Sequence, residues 1–148
     1  MTAEHDAAEV FALIVASFHQ VTGRNLVEHA ADSQWLYQSA PFAVLAHDRS
    51  EDPRFFYANK TAQACFGYSW EEFVGMPSRL SAEAPDREER QRLLDSVSAK
   101  GFIDNYRGLR IAKSGRRFWI EDATVWQLVR PNGEHAGQAA MFHTWKDL

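Results

Sequence analysis

The C-terminal part of the chain leaves few folds open. Tyr106–Ile111, Arg117–Val129 and Gly137–Trp145 read as strands, the middle one long and aromatic (Phe118, Trp119, Trp126). Two tight turn signals, Lys113-Ser114-Gly115 and Pro131-Asn132-Gly133-Glu134, separate them. Turns this short join antiparallel neighbours. Phe42–Ala46 and Phe55–Ala58 form a second expected hairpin, with the polar stretch His47–Pro53 as its loop. Between the hairpin and the later strands lie helical signals. Asn59 can cap Lys60–Phe66, and Gly67 closes that helix. Ser69-Trp70-Glu71-Glu72 has the form of a capping box and starts a helix to about Val74, which Gly75 and Pro77 stop. Asp86–Lys100 places Leu93, Leu94 and Val97 on one side and Arg and Glu residues on the other, and ends at Gly101. The implied class is α+β: a five-stranded antiparallel sheet with short helices on one face.

Residues 1–40 are expected to form an N-terminal helical cap and residues 41–148 the core, together one domain. In the first segment, about Asp6 to Val21, Val10, Phe11, Ile14, Phe18 and Val21 recur at helical spacing. Thr22-Gly23 stops it. Leu26–Gln38 also reads as helix, ended by Ser39-Ala40-Pro41. The spacing of Phe11, Ile14, Phe18 and Val21 suits a helix seam. That seam can serve a homodimer or fold back onto the chain's own sheet, and both readings stay open. The chain holds no internal repeat and no low-complexity segment.

The run Tyr57-Ala58-Asn59-Lys60-Thr61-Ala62, followed by Phe66-Gly67-Tyr68-Ser69-Trp70-Glu71-Glu72-Phe73-Val74-Gly75, resembles the PAS signature. A closer resemblance, to the MEKHLA domain, rests on several runs: Met76–Glu83, the Arg87–Leu94 helix, Tyr106–Ile111, Gly115–Phe118, Ala123–Trp126 and Gly137–Ala140. That PAS-related family occurs as stand-alone bacterial proteins of the type resembled here. It also occurs at the C-terminus of plant class-three homeodomain leucine-zipper transcription factors. The resemblance covers the chain from about residue 6 to its end. It implies a PAS-like sheet with a cup between its inner face and the helices, and a sensory or regulatory role. This chain carries neither homeodomain nor zipper heptads, so only the regulatory module carries over.

Chemistry narrows the function further. The formal net charge of −4 argues against non-specific binding to nucleic acid or an anionic membrane. The basic run Arg107, Arg110, Lys113, Arg116 and Arg117 reads as a solvated hairpin. Val10–Ala16 is too short to cross a bilayer. The single cysteine, Cys65, allows no intrachain disulfide, and with no secretory signal the expected location is the cytoplasm. Cys65 does not stand where flavin photoreceptors of the LOV type carry their reactive thiol, and it reads as a core residue; a flavin photoadduct is therefore disfavoured. Heme is disfavoured because the longest helix lacks a histidine. The six histidines are scattered, with none at metal-ligand spacing. Motifs of hydrolases, P-loops and dinucleotide sites are missing, which argues against an enzyme. The enzyme alternative rests on His143, Glu121 or Asp122 as acid or base. For a small-molecule ligand the candidate pocket residues are Trp126, Phe118, Gln138, Phe142, His143 and Asn59. Both faces of the 117–129 strand are partly apolar, so the inward face is open and a bulge can switch it. A filled core and a purely structural interaction domain are the competing readings.

Overall fold

The computed structural model describes residues 7–148, and of residues 84–86 the backbone alone. Asp6, the expected start of the first helix, lies outside the described residues. The elements run α1 (Ala7–Thr22), a short π-helical turn (Trp35–Ser39), β1 (Ala43–His47), β2 (Phe55–Ala58), α2 (Lys60–Phe66) and α3 (Trp70–Phe73). A 3-10 turn (Ser78–Ser81) follows, then α4 (Ala84–Lys100), β3 (Phe102–Ile111), β4 (Arg117–Val129), β5 (His135–Phe142) and β6 (Thr144–Asp147).

The sheet is antiparallel throughout, in the order β2-β1-β5-β4-β3, with β6 also paired to β4. The expected last strand is thus two. It breaks at His143: β5 lies against Thr124–Val129 of β4, and β6 against Phe118–Glu121. Between those halves Asp122 takes φ 51, the conformation of a bulge. That bulge reverses the side-chain alternation. Phe118, Ile120, Ala123 and Val125 pack on the helix-covered inner face, whereas Trp126 and Leu128 pack on the outer one. A strict two-residue alternation would put Phe118 and Trp126 together; the extra residue separates them.

Local caps form as the sequence requires. Asn59 Oδ1 accepts from the Ala62 amide at the start of α2, and Gly67 closes it at φ 78. The Ser69–Glu72 capping box forms in both directions. The second expected N-terminal helix does not form. Leu26 and Leu36 anchor an irregular segment whose helical part is the short stretch that ends at Ser39. Asp32 Oδ1 accepts from the Trp35 amide and starts that turn. The apolar positions Leu26, Val27, Ala30, Leu36 and Tyr37 skip more than one helical turn between Ala30 and Leu36, so no continuous stripe existed to hold a helix.

The sheet is covered on both sides. α2, α3 and α4 pack on the inner face, through Cys65, Phe66, Phe73, Leu93 and Val97. α1 lies on the outer face, where Val10, Ile14 and Phe18 bury against Val44, Ala46, Trp126, Leu128 and Ala139. Phe18 meets Trp126 edge to face at 4.9 Å, and Ser17 Oγ accepts from the Val129 amide at 2.7 Å. The α1 stripe is therefore used within the chain. Among the described residues no helix is long and apolar enough to cross a membrane.

Candidate functional site

The inner face and α4 enclose a small cup. Strand alternation puts Leu45 and His47 of β1, Gln138, Ala140 and Phe142 of β5, Ile120 and Val125 of β4, and Tyr106 and Arg110 of β3 on its floor. α4 supplies Arg90, Leu93 and Leu94 as its lid. The void is about 50 Å³. It exists because Ala140 stands between Leu45 and Val125 in the strand register, a small residue between two large ones.

The cup is unusual in what is buried in it. Arg90 and Arg110 are only 8% and 7% exposed. Arg90 Nη2 donates to Ser78 Oγ at 2.7 Å. Arg110 donates to the Leu109 carbonyl at 2.9 Å and to the Tyr106 hydroxyl at 3.1 Å, and that hydroxyl in turn donates to Glu89 at 3.0 Å. Among the described residues neither guanidinium has a carboxylate within ion-pair distance. Burial, with Arg110 nearby, draws Arg90 from its ordinary 12.5 down to about 10, so it keeps its charge at neutral pH.

Gly108 makes the Tyr106–Arg110 contact possible. Residues 106, 108 and 110 share one strand face, and both flanking side chains lean over the glycine. A Cβ there would stand 2.3 Å from the Tyr106 hydroxyl and 2.8 Å from Arg110 Nη1. Only the bare backbone leaves that space.

Beside the cup runs a polar rung, of which His47 and Gln138 line the void and Gln127 only the groove outside it. His47, Gln138 and Gln127 lie side by side on β1, β5 and β4 in register. Each carries a buried acceptor without a hydrogen-bond partner: His47 Nε2, Gln138 Oε1 and Gln127 Oε1. Gln138 Nε2 donates to the Leu94 carbonyl at 3.0 Å and to Ser98 Oγ at 3.2 Å, tying β5 to α4. His47 Nδ1 lies 2.9 Å from the Asp48 carbonyl, which fixes the proton on Nδ1 and leaves Nε2 as a lone pair. Burial holds His47 neutral, its pKa lowered to about 4. His47, Leu94 and Gln138 also line a polar groove of about 200 Å³ outside the cup, so the rung stands between groove and cup.

The residues singled out from sequence fall in different places. Phe142 and Gln138 line the cup. Phe118 is inner-face core, 5.1 Å from Phe66. Trp126 packs on the opposite face, beneath α1. Asn59 is fully buried away from the cup with its amide in use: Oδ1 accepts from Val44 and Ala62, and Nδ2 donates to the Leu36 and Phe42 carbonyls. It joins the N-terminal segment, β1 and α2. His143 is exposed, its ring 5.1 Å from Phe42. Glu121 pairs with Arg107 at 3.6 Å and Asp122 is exposed, so none of the three groups considered for acid–base work reaches the cup. Cys65 is buried, its thiol pushed up to about 12 by that burial, and does not line the cup.

The basic hairpin needs one correction. Arg107, Lys113, Arg116 and Arg117 pair at the surface with Glu121, Glu72, Asp147 and Glu83, but Arg110 turns inward. Sequence reading missed Arg90 and Arg110, and signals for both were present. Arg90, Leu93 and Val97 have i, i+3, i+7 spacing, so Arg90 sits on the apolar stripe of α4. Tyr106, Gly108 and Arg110 share a strand face around a glycine.

Comparison with known proteins agrees with this fold. The MEKHLA domain model matches residues 8–147. A search of curated proteins returns no match. Among solved structures, the PAS domain of a protein from Colwellia psychrerythraea superposes with a TM-score of 0.64 at 20% identity, over 76% of this chain and 90% of that one. The light-state dimer of the fungal blue-light photoreceptor Vivid superposes with a TM-score of 0.61 at 15% identity, over 95% of both chains. At such identities the likeness concerns the fold alone.

Proposed function

This chain belongs to the MEKHLA domain family, and from that premise we propose that it is a PAS-like sensory or regulatory module that binds a small molecule in its cup. One observation carries the reading: two arginines are buried in the wall of a void that also holds His47 Nε2 and Gln138 Oε1, acceptors without a partner among the described residues. Each buried unsatisfied acceptor costs about 1–3 kcal/mol, which favours a role for the pair over packing alone. A bound molecule satisfies them. Gln138 couples that event to the rest of the fold, since it faces the cup and holds α4 at Leu94 and Ser98. The same residues that sense occupancy therefore set how tightly α4 is held to the sheet. In this reading the described residues 7–40 serve as a cap on the sheet within the same folding unit, and the buried lone thiol suits a reducing cytoplasm.

The test fills the void. Ala140→Leu places a larger side chain between Leu45 and Val125. Thermal melting is measured for both proteins against a library of water-soluble metabolites. A compound that raises the melting temperature of the parent and not of Ala140→Leu supports the reading. Equal shifts for the two proteins would count against the cup as the binding site.

A homodimer is the second reading. Beside α1 lies a surface recess of about 490 Å³ whose walls include Ala12, Leu13, Ala16, Val129 and Pro131. The small exposed Ala12 and Ala16 let a second helix approach closely. The seam is not the Ile14–Phe18 stripe, which is spent on the sheet.

A further inference from the structure

We propose that the polar groove beside the cup binds a small primary ammonium ion, which donates N–H bonds to His47 Nε2 and Gln138 Oε1 and sets its charge against the acids of the groove wall. The groove lies outside the cup, so the inference goes beyond the function above and does not rest on it, although cup and groove share His47, Leu94 and Gln138. Three features of the groove lead to it.

The first is the floor. His47, Gln138 and Gln127 stand abreast on β1, β5 and β4, and all three line the groove. His47 is 9% exposed and Gln138 6%. The His47 ring gives its proton to the Asp48 carbonyl from Nδ1, so Nε2 can only accept. Gln138 Nε2 donates to the Leu94 carbonyl and to Ser98 Oγ, which leaves Oε1 as its free atom. Gln127 adds a further acceptor in Oε1 and keeps one amide N–H, the other lying against His135 Nδ1. Neighbouring strands hold such side chains roughly 4.8 Å apart, which lets one nitrogen donate to His47 and Gln138 together. The floor therefore suits a group with at least two hydrogens to give.

The second is the charge of the walls. α4 contributes Asp95, and the loop between β1 and β2 contributes Asp48 and Glu51, against a single base, Arg49. Among the described residues no cation forms an ion pair with any of these acids. The bonds that Asp48 takes from its own loop, from the Ser50 amide and hydroxyl and the Arg54 amide, all fall on Oδ1. Acids on both sides of a narrow groove gather cations and turn anions away. A bare metal ion brings no hydrogens for the floor, and among the described residues no three His, Cys, Asp or Glu side chains converge to hold one. An alcohol meets the floor and leaves the acids as they were. An ammonium ion answers both.

The third is size. The groove, of about 200 Å³, has room for roughly seven water-sized groups. Leu94 and Pro53 in its walls offer hydrocarbon for a short alkyl chain. Because Gln138 also holds α4 through Leu94 and Ser98, the bound ion sits on the residue that ties helix to sheet.

Isothermal titration calorimetry of the full chain in phosphate buffer tests this. The probes are propylammonium, trimethylpropylammonium, which keeps the charge and lacks every N–H, and propanol, which keeps a donor and lacks the charge. Propylammonium is expected to bind at least tenfold more tightly than either. His47→Phe removes the floor acceptor and weakens that binding at least tenfold. Asp95→Asn weakens it at least threefold, and since Asp95 is exposed this variant keeps the fold. Ala140→Leu fills the cup, leaves the groove untouched and binds propylammonium like the parent. Propylammonium binding no tighter than the two controls, no binding at millimolar concentration, or binding unchanged in both His47→Phe and Asp95→Asn would overturn the proposal. These failures leave the cup reading standing on its two buried arginines. Loss of binding in Ala140→Leu would overturn it as well, by placing the amine in the cup.

Discussion

At the scale of single residues, the informative groups are those whose chemistry conflicts with their surroundings. His47 is 9% exposed and its pKa is lowered to about 4 by burial, with the Asp48 carbonyl acting against that shift. Above pH 6.5 the imidazole is neutral both folded and unfolded, and pH has no leverage through it. Below 6.5 the unfolded chain takes up a proton that the folded chain refuses, so stability falls as pH falls towards 4. His47 alone then costs about 2 kcal/mol by pH 5. Urea denaturation at pH 7.5 and pH 5 should show this loss in the parent and not in His47→Gln; equal losses in both would assign the acid sensitivity elsewhere. Sequence placed Gln138 and Phe142 at the cup, and it placed Asn59 as a helix cap. It could not show that Asn59 spends its whole amide on four backbone groups, because three of those partners are brought to it only by tertiary folding. Trp126 was separable from Phe118 only once Asp122 was known to bulge. A positive φ at an aspartate leaves no clear mark in sequence.

At the scale of elements, the boundaries written in cap chemistry were legible, and those decided by pairing were not. Asn59, Gly67 and the Ser69–Glu72 box fixed α2 and α3 to within a residue. β3 starts at Phe102, ahead of the expected Tyr106, because Phe102 and Ile103 pair with Trp126 and Val125. The polar Asp104-Asn105 step, with Asn105 at φ 54, interrupts the alternation that sequence reading follows. For α1 the apolar stripe was plain and its destination was not; the structure lays it on the sheet. Phe18, 3% exposed and edge-on to Trp126, is the centre of that contact. Phe18→Ala should cost about 3–4 kcal/mol in chemical denaturation, the range for a large buried aromatic. A cost below about 1 kcal/mol would mean that α1 is not part of the folded core.

At the scale of the whole molecule, a sheet covered on both faces keeps, among the described residues, a small interior space whose mostly apolar wall includes buried polar groups, and it shares His47, Leu94 and Gln138 with a groove outside. The family membership and the fold neighbours establish a PAS-like module, and neither says what fills it. The cup's lining combines two buried arginines, two acceptors without a partner among the described residues, and hydrocarbon. Native mass spectrometry of the purified chain, set against its mass after denaturation, tests most directly whether the cup is a ligand site. The account predicts one small adduct per chain in the native spectrum, absent from the denatured one and from Ala140→Leu. A native mass that equals the denatured mass, and stays so after incubation with the metabolite library, would contradict it.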